Sequence, residues 1–168
     1  MHKARKVNMP SDLHKRLQNK GFNYLLNKGY WVRTVEMPTP VGVIDVWGIR
    51  HDNGCDTMAI EVKVSRSDYK SRSQKYKEFQ SDNIANYCYV LCPEYLVGEV
   101  NDSPNWGLLW YNEKTDRLRL IREPKRFEMT DRAKINVMVH LFENRANRPD
   151  NLLQEIYVPS ETKEPSSA

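Results

Sequence analysis

Two short runs rich in β-branched residues, "VGVIDVWGI" (41–49) and "TMAIEVKV" (57–64), stand on either side of "RHDNGCD", a stretch of turn-forming residues. Runs of this length and composition form strands, and the gap between them has the chemistry that folds two strands back as an antiparallel hairpin. Whatever else the chain does must be built around that pair. Each run also carries charge where burial is expected, Asp45 in the first and Glu61 with Lys63 in the second.

The remaining elements fall around the hairpin. Ser11 is a good helix N-cap, and Leu13, Leu17, Tyr24 and Leu25 recur at helical spacing until Gly29. "YWVRTVEM" reads as a strand ended by Pro38 and Pro40, "YCYVLCP" as a fourth strand, and "WGLLWY" and "RLRLI" as a second hairpin across "NEKTD". Residues 66 to 85 predict a loop leading into a helix with a narrow apolar face. After Pro124 helical spacing returns: Thr130 caps, Asp131 suits the first turn, and Ile135, Met138, Val139 and Phe142 form one face. The expected fold class is α/β, helices around a mixed sheet.

A chain of 168 residues is the size of one domain. We divide it into a basic arm at 1–10, a folded domain at 11–145 and a disordered tail at 146–168, with no internal repeat. Within the tail, "NLLQEIYV" could dock on the domain or on a partner. "MHKARKVNMP" lacks the apolar stretch of a signal peptide and no stretch is long enough to cross a membrane, so the expected location is cytoplasmic. The three cysteines fit no disulfide framework, and Cys88 and Cys92 read better as buried thiols than as metal ligands. His2, His14, His51 and His140 are read as surface or packing residues, and Trp106 and Trp110 as core.

Net charge is only +4, with a pI near 8.9, and by itself this names no partner. Its placement says more. Lys63, Arg66, Lys70, Arg72, Lys75 and Lys77 face a single acid, Asp68, and tyrosines are interleaved among them. A solvated helix face usually alternates its charges, whereas a one-signed run of this kind suits contact with phosphates.

Glu-x-Lys occurs three times, but Glu123-Pro124-Lys125 has proline at its centre and Glu161-Thr162-Lys163 lies in the tail. Only Glu61-Val62-Lys63 lies within a strand. Its two charged side chains share a face about 7 Å apart, while Met58, Ile60, Val62 and Val64 point the other way. Asp45 lies on the neighbouring strand, and an unpaired buried carboxylate is costly enough to need a partner or a metal. Two carboxylates and a lysine would suit Mg²⁺, which takes one or two carboxylates and keeps several waters. Alternatively the three residues form an ion pair on an exposed sheet face, worth about 0.2 to 1 kcal/mol.

Register decides whether such a site can exist. A two-residue turn at Asn53-Gly54 pairs Asp45 with Val62 and sends the two acids to opposite faces. A three-residue loop, Asp52 to Gly54 with Gly54 left-handed, sets Asp45 opposite Glu61. That loop, or a bulge with the same effect, is expected, and carboxylates on opposite faces would rule out a shared metal.

"VIDVWGI", "AIEVKVS" and "RSDYKS" together resemble the PD-(D/E)xK nuclease superfamily, in particular its MmcB-like DNA-repair branch, over residues 11 to 93. The resemblance implies a restriction-endonuclease-like core that cleaves DNA phosphodiesters with Mg²⁺, for which Mn²⁺ can substitute. It also implies Asp45, Glu61 and the Val62 carbonyl as metal ligands and Lys63 as the catalytic lysine. The glutamate this superfamily often carries on its first helix is missing, so either Glu36 serves or the role is empty. Ile44 stands where proline often precedes the motif aspartate, while Asp68, Lys75 and Tyr76 look like supporting positions. The expected function is a Mg²⁺-dependent deoxyribonuclease that grips DNA with Arg66, Lys70, Arg72, Lys75 and Lys77. A nucleic-acid-binding module without catalysis, and an interaction protein with surface ion pairs, are the alternatives, and a homodimer is left open.

Overall fold

The computed structural model describes residues 11–39, 42–52, 54–71, 84–96, 98 and 105–146, with backbone alone at 70–71 and 144–146. The basic arm, the tail beyond Ala146, and Arg72, Lys75, Tyr76 and Lys77 lie outside the described residues. The elements are α1 (Asp12–Asn27), β1 (Val32–Thr39), β2 (Gly42–Ile49), β3 (Thr57–Val62), α2 (Arg66–Ser71), β4 (Tyr87–Pro93), β5 (Gly107–Asn112), β6 (Arg117–Arg122) and α3 (Asp131–Ala146). They make an α/β fold in which one six-stranded mixed sheet, ordered β1-β2-β3-β4-β5-β6, is flanked by helices. Neighbours are antiparallel except β3–β4 and β4–β5, which run parallel. No helix among the described residues is long and apolar enough to cross a membrane.

The central hairpin has the expected register from its turn as far as Val46 and Ile60. Val46 is paired with Ile60, Trp47 with Ala59, Gly48 with Met58 and Ile49 with Thr57. Arg50 N–H donates to the Asp56 carbonyl in continuation of that ladder, and Gly54 and Cys55 turn the chain at φ 85° and 59°. Only glycine adopts such a φ without a steric penalty, so Gly54 suits the corner and Cys55 is strained there. The paired register ends at Val46 and Ile60, and beyond it the Asp45 carboxylate accepts from the Val62 N–H.

Two cores follow from the alternation of side chains across the sheet. On one face Val46, Met58, Ile60, Val62, Tyr89 and Leu91 pack against Leu17 and Leu25 of α1. Gly21 lets this helix sit close, because a Cβ there would meet Val46, Ile60 and Leu91 at 3.4 to 3.5 Å. The Ser11 side chain caps the helix by accepting from His14 N–H. On the other face Trp47, Ala59, Cys88, Val90 and Cys92 pack against Tyr69, Met129 and Val137. Burial pushes the Cys92 thiol up to about 12 and raises Cys88 as well, aided by the charge of Glu61, which leaves both as inert packing groups.

Two expectations need correction. Where the expected loop begins the chain is helical, since α2 starts directly at Arg66 with the Ser65 hydroxyl accepting from Asp68 N–H, and residues 72–83 of the expected loop and helix lie outside the described residues. On α3, Thr130 does cap, by accepting from Ala133 N–H, but the side packed on the sheet is Ala133, Val137 and Leu141. Ile135, Met138, Val139 and Phe142 face solvent instead. The helix carries two apolar stripes, and the slimmer one, with Ala133, is the one that meets the sheet.

Candidate active site

At the end of β3 the regular ladder gives way to side-chain contacts. Asp45 Oδ2 accepts from Val62 N–H at 2.8 Å, so a carboxylate stands where a carbonyl of β2 would otherwise pair. Lys63 N–H donates to the Leu91 carbonyl on β4 at 2.9 Å. Because peptide directions alternate along a strand, this turns the Val62 N–H and carbonyl toward β2 and Asp45. Next to Asp45 on its other side, the β1–β2 ladder skips Glu36, which has the left-handed φ of 51°. Regular pairing thus lapses on both sides of Asp45.

The charges here are deeply buried. Lys63 is 0% exposed, Glu61 1% and Asp45 6%. The expectation of an exposed surface ion pair does not hold, because all three lie inside the sheet. Lys63 Nζ lies 3.4 Å from Glu61 Oε2 and 4.0 Å from Asp68 Oδ1, so one ammonium faces two carboxylates from β3 and α2. Neither distance is a short, charge-assisted hydrogen bond.

A residue given no role by the sequence completes the cluster. His14 on α1 places Nε2 3.4 Å from Asp45 Oδ1, and one turn further on Gln18 Nε2 donates to the Asp45 carbonyl at 3.0 Å. The contact with Asp45 raises the imidazole pKa against the opposing effect of burial. Burial works against the Asp45 carboxylate, yet His14 and the Val62 N–H hold its pKa below the usual value. The signal was present, since His14 and Gln18 are polar and four residues apart on the helix side that carries Leu17, Gly21 and Leu25. It could be read only once α1 was known to cross β2 at Asp45.

The other expected residues are only partly brought together. Arg66 opens α2 at the mouth of the cluster and is exposed, and the backbone of Lys70 lies in the same helix. Glu36 sits level with Asp45 but on β1, so β2 separates it from Glu61 by two strand spacings, about 10 Å. Among the described residues no three His, Cys, Asp or Glu side chains are grouped to hold a metal ion. Glu36 therefore does not join Asp45 and Glu61 as a third ligand. Asp45, Glu61 and the Val62 carbonyl each offer a hard oxygen of the kind Mg²⁺ accepts when most of its ligands are waters.

No family model and no curated protein matches the chain. A solved structure, described as a protein of unknown function from Silicibacter pomeroyi, is similar with a TM-score of 0.65 at 17% identity. The match covers 82% of this chain and 90% of that one. At that identity the likeness concerns the fold alone.

Proposed function

We propose that the chain is a metal-dependent deoxyribonuclease with a restriction-endonuclease-like core, related to the PD-(D/E)xK superfamily and its MmcB-like DNA-repair branch. One observation carries the reading: the Asp45 carboxylate accepts from the N–H of Val62, the residue between Glu61 and Lys63, and all three charged residues are buried there. Asp45, Glu61 and the Val62 carbonyl would hold Mg²⁺, or Mn²⁺ in its place. When bound, such an ion polarises a phosphate oxygen and lowers the pKa of a coordinated water.

The chain's own residues would divide the remaining work. Lys63, rigid in the sheet, holds an ammonium where charge develops on the scissile phosphate and orients the attacking water. Asp68 and Glu61 keep that ammonium in place from two sides. His14 fixes the Asp45 carboxylate from the first helix, where the superfamily often has a glutamate. Arg66 and the basic residues after it would grip the DNA backbone at the mouth of the cluster.

A second reading has its own support. Each carboxylate already has a cationic partner in the fold, His14 on Asp45 and Lys63 on Glu61, and among the described residues no three His, Cys, Asp or Glu side chains group to hold a metal. That arrangement suits a module of the same fold that binds nucleic acid without cutting it. Incubation with supercoiled, linear and single-stranded DNA, with Mg²⁺, with Mn²⁺ and with chelator, separates the two. Breakage that chelator abolishes supports the nuclease, and salt-sensitive binding with no breakage supports the module.

A further inference from the structure

Helix α3 has two apolar sides, and among the described residues only one is covered. Ala133, Val137 and Leu141 pack on the sheet, while Ile135 is 56% exposed, Met138 37%, Val139 45% and Phe142 70%. These four stand at i, i+3, i+4 and i+7, a continuous stripe about 10 Å long. A helix that is apolar on opposite sides is normally buried on both, and a stripe of this size on a small domain marks a docking surface.

We propose that this stripe is the seat of the chain's own segment 152–158, "LLQEIYV", folded back along α3. Three features of the sequence select this occupant. The chain leaves α3 at Ala146, four residues beyond Phe142, so the segment begins at the end of the surface it would cover. Pro149 cannot continue the helix, and the five residues 147–151 are enough to reverse the chain, as short connections between antiparallel neighbours do. Leu152, Leu153, Ile156 and Tyr157 recur at helical spacing over a length that matches the stripe, and beyond Val158 the chain holds no large apolar residue.

Amide hydrogen exchange of the full chain tests the proposal, read at 152–158 against 160–168, at low and high protein concentration. Docking within the chain predicts exchange at 152–158 at least tenfold slower than at 160–168, by the same factor at both concentrations. It also predicts loss of that protection in Phe142→Asp and in Val139→Asp, while the amides of β3 and β4 stay protected. Equal exchange in the two segments overturns the proposal. So does protection confined to high concentration, which assigns the stripe to a second copy, and so does protection that survives both substitutions.

Discussion

The molecule buries polar residues at both ends of β3, and the two ends are built differently. At the start of the strand Asn86 closes a network through its side chain and its backbone. Its Oδ1 accepts from Thr57 N–H at 2.9 Å and from the Thr57 hydroxyl, while its Nδ2 donates to the Phe127 carbonyl at 2.9 Å. Its backbone N–H donates to Thr57 Oγ1, and its carbonyl accepts from Phe127 N–H at 2.8 Å. Beside it the buried Asp56 carboxylate takes Arg126 at 3.0 Å and Arg50 at 3.3 Å. At the far end of the strand the charges are as deeply buried: Asp45 takes the Val62 N–H at 2.8 Å, and Lys63 and His14 meet their acids at 3.4 to 4.0 Å. A polar group that is buried and closely satisfied holds a fold together. A buried cluster of opposite charges drawn from several elements is a candidate functional site.

The sharpest break of this contrast comes from opening each end by one residue. Lys63→Ala leaves Glu61 buried without its ammonium and is expected to cost about 3 to 5 kcal/mol in urea unfolding. Asn86→Ala leaves the Thr57 N–H and Phe127 carbonyl without partners, for a loss of about 3 kcal/mol. A loss well under 1 kcal/mol from Asn86→Ala would remove the structural role assigned to that end.

His14→Gln probes a smaller and pH-dependent contribution, about 1 to 2 kcal/mol, by unfolding across a pH series. The His14 pKa is raised on folding, so its contribution is complete below the ordinary histidine value of 6.5 and fades as pH rises through the raised one. The Asp45 pKa is lowered on folding, so its contribution is present above the ordinary 3.8 and is lost as pH falls through the lowered one. The difference between wild type and variant is therefore greatest between pH 3.8 and 6.5. A difference that stays flat through neutral pH would remove His14 from the cluster.

The smallest change is expected from the double variant Glu61→Leu with Lys63→Met, which takes out both charges at once. Its stability should stay within about 1 kcal/mol of wild type or rise, because well-packed apolar residues often replace a buried ion pair without loss. A fall as large as that of Asn86→Ala would mean that the two ends do the same structural work.

The legible parts of the sequence are those where a local pattern and the tertiary environment agree. The central hairpin could be read to the residue because turn chemistry and the placement of Asp45 and Glu61 demand one register. "YCYVLCP" marks β4 from end to end, since every position from Cys88 to Pro93 is buried and apolar enough to leave a continuous run. Helix α3 was found but its packed side was not, because spacing alone cannot rank two apolar stripes on one helix. Asn86 and Asp56 gave no signal: each is a lone polar residue beside a strand, and only the meeting of β3, β4 and residues 126–127 gives it partners. His14 likewise depends on where α1 crosses the sheet, a contact 31 residues long in sequence that no local motif records.

The most direct measurement is the rate of Mg²⁺-dependent nicking of supercoiled DNA by Asp45→Asn against wild type. Asparagine keeps an oxygen for Val62 N–H and removes the charge, so fold and function can part. The account predicts a folded variant whose nicking rate falls on the order of 10²-fold or more. Nicking by Asp45→Asn at the wild-type rate, or a wild type that never nicks with either metal, would contradict it.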